Sequence, residues 1–402
     1  MHAPKHSLPQ RSTLCIHAPD APDGFAALTP PIHRASTVVF DTPAAFRGRA
    51  ARLYDGYAYG LYGTPTTRAL EDQIALLEGG VRALLLPSGL AAIAVATIAS
   101  VDAGDVVLLP EGFYGPARAM IEQLLSRFGV GARRYHGDAT VELAHAIDHR
   151  SRVLWIESPG STTFEVRDVA RMAREAHARG IRVAMDNTWA TPLGFQPLRQ
   201  GADISMQSLS KYAGGHSDVL MGSLAFADED IYRRAKDVAR LLGYGVSGED
   251  CFLVSRGLAT MPLRLAQSAE SAATLMARLE TRAEIAQILH PSRPGHPGQD
   301  VFARDYTAGA GLFGIVLKRE FDAAAVDTAF AALEIFKIGA SWGGAHSLIA
   351  PSDPKSERAD LEWLPDGPYL RVAVGLEDAG DLAVDLFRFL DALSRAPGKS
   401  AA

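Results

Sequence analysis

Cysteine is nearly absent: Cys15 and Cys251 are the only two in 402 residues. Two thiols cannot build the disulfide framework of a small secreted domain, and they fit a reducing, cytoplasmic location. A basic excess is lacking too. The formal net charge of −6 argues against a general nucleic-acid binder, which would carry a basic face. The sequence has no internal repeat and no low-complexity tract, and its 37 Gly and 23 Pro follow no collagen-like period. Met1–Thr13 has no apolar core of signal-peptide length. One uncharged stretch, Ala83–Val101, imitates a membrane span. Pro87, Ser88 and Gly89 break it near its start, and only one short helix can follow. No membrane partner is expected.

What is present is an ordinary globular composition, 48% hydrophobic and 21% charged. The length suggests two or three domains. Residues 1–65 are irregular and carry Phe40, Phe46, Tyr54, Tyr57, Tyr59 and Tyr62. Aromatics are enriched at interfaces, so this segment is expected to be an arm clasping a neighbouring subunit. A helical pattern begins near Thr67, with Leu70, Ile74 and Leu77 on one face and Gly79-Gly80 ending it. Strands are then predicted over Ala83–Leu86, Val106–Leu109, Val153–Ile156 and Ile181–Met185. Helices are predicted over Ala91–Ile98, Ala117–Arg127 and Val169–Arg179. Short apolar strands alternating with helices predict an α/β fold with a mostly parallel sheet over residues 66–257. Farther on, Asp228–Leu242 and Leu258–Leu289 read as helices, the second kinked near Pro262. Leu312–Leu317, Ala323–Leu333, Tyr369–Val374 and Leu382–Leu393 predict a smaller C-terminal α/β domain over 258–402.

In an open α/β sheet, ligands sit beyond the carboxyl ends of the strands. Four groups fall there. Gly89 and Leu90 open a helix directly after a strand, where free amides can face an anion. Tyr114 follows the next strand and can stack on a flat ring. Asp186 ends a strand, and a carboxylate so placed needs a cation or several donors. Ser208 and Ser210 flank one position and are followed by Lys211, an amine that becomes nucleophilic when desolvated. Taken singly, each has an ordinary explanation: a strand–helix turn, a core aromatic, a cap, a surface lysine. Taken together, they supply what pyridoxal phosphate needs: donors for its phosphate, a stacking face, an acid for its ring nitrogen and an amine for its aldehyde.

With these motifs the chain resembles the Cys/Met-metabolism branch of fold-type-I pyridoxal phosphate enzymes. The segments that carry the resemblance are Asp186-Asn187-Thr188-Trp189-Ala190, Ser210-Lys211-Tyr212 and Gly215-His216-Ser217-Asp218. It is most similar to the bacterial cystathionine β-lyases, through Glu157-Ser158-Pro159-Gly160-Ser161, Ser341-Trp342-Gly343-Gly344 and Leu370-Arg371. The resemblance implies that Lys211 would hold the cofactor and shuttle protons, with Tyr114 and Tyr59 also taking part in catalysis. Asp186 would pair with the ring nitrogen and Tyr114 would stack on the ring. Gly89, Leu90, Ser208 and Ser210 would bind phosphate. Arg371, helped by Ser341 and Trp342, would bind the α-carboxylate of a small amino-acid substrate. Tyr59 would come from a neighbouring subunit of a homotetramer built from active dimers. No metal is implied. The implied reaction is β-elimination from cystathionine; γ-elimination or γ-replacement, and cysteine or cystine desulfhydration, are alternatives. An inactive cofactor-binding regulator is the alternative outside enzymes. Leu61, Ala340 and His346 depart from the residues usual in the family, Arg, Tyr and Glu respectively.

Overall fold

The computed structural model describes residues 10–16, 28–136, 140–358 and 361–395. A seven-stranded sheet is formed by β1 (Arg82–Leu86), β2 (Val106–Pro110), β3 (Gly131–Tyr135), β4 (Ser151–Glu157), β5 (Arg182–Asp186), β6 (Ile204–Ser208) and β7 (Gly222–Phe226), in the order β1-β7-β6-β5-β4-β2-β3. Neighbours from β6 to β3 are parallel, while β7 runs antiparallel to both β1 and β6. The sheet is therefore mostly parallel, as the alternating pattern predicts.

Both faces of this sheet are covered, which explains why its strands read as continuous apolar runs. Along β4, Leu154 and Ile156 point into one core cluster and Val153 and Trp155 into the other. The first cluster is closed by helices Pro65–Glu78, Val169–His177 and Gly248–Leu279; the second by Gly89–Ile98 and Glu229–Leu241. Helix Pro65–Glu78 starts earlier than the hydrophobic pattern suggests. Thr64 caps it in a reciprocal capping box with Thr67, and Gly79 ends it at φ 72°.

A second, five-stranded sheet has the order β10-β11-β12-β9-β8: β8 (Ile285–Leu289), β9 (Leu312–Leu317), β10 (Lys337–Ile338), β11 (Leu348–Ser352) and β12 (Tyr369–Ala373). Helix Ala379–Arg395 lies on it through Leu382, Leu386, Phe389 and Leu390. From its other face, Leu312 and Val316 join the first sheet's core.

Three expectations need correction. The helix expected over Leu258–Leu289 is two elements: Gly248–Leu279, with Pro262 inside it, and strand β8. A short apolar run such as Ile285–Leu289 does not distinguish strand from buried helix by periodicity. The helix over Ala117–Arg127 begins at Gly115 and changes pitch, with a π turn at Met120–Leu124 and a 3-10 finish at Leu125–Phe128. Residues 1–65 are not irregular throughout, because helix Arg11–Ile16 forms there and packs on its own chain. Its Cys15 is fully buried, with its carbonyl accepting from Gln73 Nε2 at 3.0 Å.

The second sheet depends on a buried carboxylate. Asp385, fully buried on the last helix, accepts the backbone amides of Glu334, Ile335 and Phe336 at 2.8, 2.9 and 2.9 Å. These bonds fix the approach to β10. Asp385→Ala leaves three amides without their acceptor and should cost about 3 kcal/mol or more. The expected result is a clearly lowered thermal midpoint, with Asp385→Asn intermediate because its amide oxygen still accepts.

Candidate active site

Ten of the eleven residues singled out in the sequence line one cavity of about 430 Å3: Gly89, Leu90, Tyr114, Asp186, Ser208, Ser210, Lys211, Ser341, Trp342 and Arg371. The first seven stand at or beyond strand ends of the large sheet, and Ser341, Trp342 and Arg371 come from the second sheet's side. Tyr59 is the exception. It lies in a groove of the arm, 43% exposed, with its hydroxyl 3.4 Å from Ser36 Oγ. Of the departures from the family pattern, Ala340 belongs to the cavity wall. Leu61 lines a separate crevice beside Tyr54 and Gly245, and His346 is exposed.

One end of the cavity is built by a turn. Ser88 Oγ caps helix Gly89–Ile98 by accepting the Ala91 amide, and the Ser88 carbonyl takes the Ala92 amide. The amides of Gly89 and Leu90, in the first turn, have no carbonyl four residues back within the helix. A Cβ added at Gly89 would stand 2.9 Å from Ser208 Cβ, so only glycine lets the helix start press against Ser208. Ser210 Oγ accepts the Met221 amide at 3.0 Å and donates to the Met221 carbonyl at 3.3 Å, which holds the hydroxyl at the cavity wall.

Thr188 is a site residue that the motif contained but the sequence reading gave no role. Its amide donates to Asp186 Oδ1 at 2.9 Å and its Oγ1 accepts the Ser208 amide at 2.8 Å, tying two strand ends together. The Asx turn from Asp186 to Thr188 was a usable signal. Glu157 was also missed. It ends β4 directly opposite Asp186 in the parallel register and lines the same cavity. Its Oε2 accepts the Tyr114 amide at 2.8 Å, and its Oε1 contacts Ser161 Oγ.

Electrostatics divide the cavity. Burial pushes the Asp186 carboxyl up, while the Thr188 hydrogen bonds and the Lys211 charge oppose the shift. Burial, and then Arg371, lower Lys211 to about 8, with Asp186 opposing. Lys211 Nζ donates to Ser341 Oγ at 2.6 Å and lies 5.4 Å from the centre of the Trp342 ring. Trp342 is held against Tyr212, ring centres 5.5 Å apart. Arg371, on β12, donates to the Ala340 carbonyl at 2.5 Å.

These groups fit pyridoxal phosphate. Backbone amides and serine hydroxyls gather at one end, where a glycine keeps the cradle open. A partly buried carboxyl lies along the cavity, and a cation beside it would restore its ionised form. A lysine with a lowered pKa completes the set. Among the described residues, no group of His, Cys, Asp or Glu could hold a metal ion, and no helix is long and apolar enough to cross a membrane.

Comparison with known proteins agrees with this chemistry. The family model for Cys/Met metabolism PLP-dependent enzymes matches residues 12–391. Cystathionine β-lyase of Bordetella avium is 36% identical over 379 residues, 93% of this chain and 95% of that protein. An L-alanine/L-glutamate racemase of Wolbachia pipientis is 33% identical over 375 residues, 90% of this chain and 92% of that one. The structure of cystathionine γ-synthase from Xanthomonas oryzae pv. oryzae, in complex with aminoacrylate and cysteine, superposes with a TM-score of 0.88. It is 28% identical and covers 96% of this chain and 99% of its own. With a match over nearly its whole length and a cavity suited to the cofactor, this chain belongs to the pyridoxal phosphate-dependent enzymes of Cys/Met metabolism.

Proposed function

We propose that the protein is a carbon–sulfur β-lyase that converts L-cystathionine and one water to L-homocysteine, pyruvate and ammonia, in methionine biosynthesis. The observation that carries this reading is the convergence of Lys211 Nζ, Ser341 Oγ and the Trp342 ring on one point of the cavity, with Arg371 in the same wall. The Bordetella relative, a cystathionine β-lyase, supports it.

Bound pyridoxal phosphate supplies an electron-accepting ring that stabilises the electron pair left at the substrate's Cα. In this reading the amides of Gly89 and Leu90 and the hydroxyls of Ser208 and Ser210 bind its phosphate. Asp186 keeps a proton on the ring nitrogen, and Tyr114 covers the ring. Arg371 binds the substrate α-carboxylate as a two-pronged pair. Lys211 Nζ, oriented by Ser341, takes the Cα proton and can return it to the departing sulfur. Trp342 narrows the cavity beside Nζ and would limit the poses open to the substrate's sulfur-bearing side chain. γ-Elimination needs a further proton taken from Cβ. Racemisation of alanine, suggested by the Wolbachia relative, would begin with the same Cα proton and have nothing at Cβ to expel. Tyr59 lines the arm's groove rather than the cavity of its own chain, and we place it at the cavity of a neighbouring subunit in a homotetramer of active dimers. The working compartment in this reading is the cytoplasm.

The products decide the reaction class. Cystathionine should yield pyruvate, homocysteine and ammonia. Predominant 2-oxobutyrate and cysteine would assign a γ-lyase, and D-alanine formed from L-alanine, with cystathionine left intact, would assign a racemase. The lysine gives a pH prediction. Only its neutral amine attacks an aldehyde, so cofactor uptake by apoenzyme should accelerate as pH rises and level off above about 8. Borohydride should then fix the cofactor to Lys211; fixation on another lysine would overturn the site. The subunit boundary has its own test. Mixed oligomers of Tyr59→Phe and Lys211→Ala chains should regain activity, because one of their two site types carries neither change. No recovery in proven mixed oligomers would put Tyr59 at its own chain's site.

A further inference from the structure

Glu157 has no part in the reaction just described, yet it lines the reaction cavity and is 5% exposed. It ends β4, in register with Asp186 at the end of β5. Two carboxyls on adjacent parallel strand ends, shielded from water, do not readily ionise together. Asp186 has a cation to pair with, in Lys211 or a ring nitrogen. Glu157 interacts with Asp186, Tyr114 and Tyr135, and the cation on this side, Arg167, lies over the Tyr135 ring at 5.4 Å. Lys211 and Arg371 act instead on Asp186 and Tyr114.

We propose that Glu157 is a positioning residue that works as a neutral carboxyl. One oxygen accepts the Tyr114 amide, and the other donates its proton to Ser161 Oγ. Which of two contacting oxygens carries the proton is a matter of the network around them. With Glu157 as donor, the Ser161 hydroxyl is free to direct its own proton into the cavity, which Ser161 also lines. The same carboxyl holds Tyr114 by its backbone, at the residue that precedes helix Gly115–Ala119. Glu157 thus places one aromatic and one hydroxyl donor without touching the reacting atoms.

The local energetics agree with this geometry. Burial and the Asp186 charge disfavour the ionised form of Glu157, while Ser161 and the amides of Tyr114 and Ser161 favour it. The first pair prevails and raises the group to about 8. Near neutral pH the carboxyl therefore keeps its proton. As pH rises through about 8 the proton is lost, Ser161 must turn back to donate to the carboxylate, and a second negative charge stands beside Asp186.

Glutamine imitates the neutral acid: its oxygen can accept from Tyr114 and its amide can donate to Ser161. The proposal rests on the placement of the cofactor between Tyr114 and Asp186, so the experiment starts from wild-type holoenzyme with the cofactor already trapped on Lys211. Failure of that trapping would count against the proposed function, not against Glu157. Infrared difference spectra are then recorded as the pH is raised through about 8. Wild type should lose the C=O stretch of a protonated carboxyl, and Glu157→Gln should lack that change. The same change persisting in Glu157→Gln would overturn the proposal. Pyridoxal phosphate affinity is measured in parallel on apoenzyme near neutral pH. Glu157→Gln should stay within about threefold of wild type, and Glu157→Ala should bind about tenfold more weakly or worse, the scale of one buried hydrogen bond lost. Glu157→Gln as weak as Glu157→Ala, or Glu157→Ala as tight as wild type, would also overturn it. If Glu157→Ala does not fold, Ser161→Ala takes its place. It removes the hydroxyl that Glu157 is held to orient and should weaken binding in the same direction; unchanged affinity would refute the arrangement.

Discussion

The cavity exists because a loop of the second sheet's side lies directly on the backbone of the lysine. Gly343 has φ 82°, and a Cβ there would stand 2.9 Å from the Tyr212 nitrogen and 3.1 Å from the Lys211 carbonyl carbon. A side chain would be strained by the dihedral and blocked by main chain, which cannot swing aside. The approach delivers Ser341 and Trp342, the two residues just before Gly343, to the Lys211 amine. It also brings Arg371 within electrostatic reach of that amine. Without the glycine contact, the large sheet would hold a cofactor cradle open to water, and the second sheet would hold an isolated arginine.

The large sheet imposes a complementary constraint. Parallel strands end together, so whatever follows them is crowded at one edge. Here that edge gathers Glu157, Asp186, Ser208 and, through the next turn, Lys211. Asp186 and Lys211 are both partly buried, so the charges depend on one another. Arg371 and burial make the lysine easier to deprotonate, and Asp186 opposes them. Thr188 connects the Asp186 strand end to the serine-bearing one by donating to Asp186 and accepting from Ser208. A low-dielectric site strengthens each of these interactions. It is also why a single aspartate can serve as a durable partner for a cation.

Membership of the family and the identity of its reaction are separate questions. Relatives that bear the names β-lyase, γ-synthase and racemase stand at 32–36% identity to this chain. Those names diverge in what is done to the substrate beyond Cα. The cavity wall supplied from the second sheet's side carries Ala340, Ser341, Trp342 and Arg371. Leu61, one of the departures from the family pattern, packs in a crevice of its own chain near Gly245. Its effect on a cavity, if the arm crosses to a neighbour, is a property of the assembly.

The amino-acid sequence by itself determined the class of fold and most of the cavity's lining. Strand ends are marked by where apolar runs stop, and the residues that follow carry the chemistry, so Gly89, Tyr114, Asp186 and Lys211 are legible as a set although each taken singly has an ordinary explanation. Local punctuation such as Ser88, Gly79 and Asp228 marks helix ends because capping is a short-range interaction. Strand β8 was read as helix because a five-residue apolar run carries no decisive period. The importance of Glu157 was hidden for another reason. Its position opposite Asp186 is a matter of strand register, and its hold on Tyr114 spans 43 residues of chain. Only the tertiary structure decided those two facts, and with them the crowding of two acids at one edge, because burial and proximity across strands are set by packing rather than by neighbours in sequence.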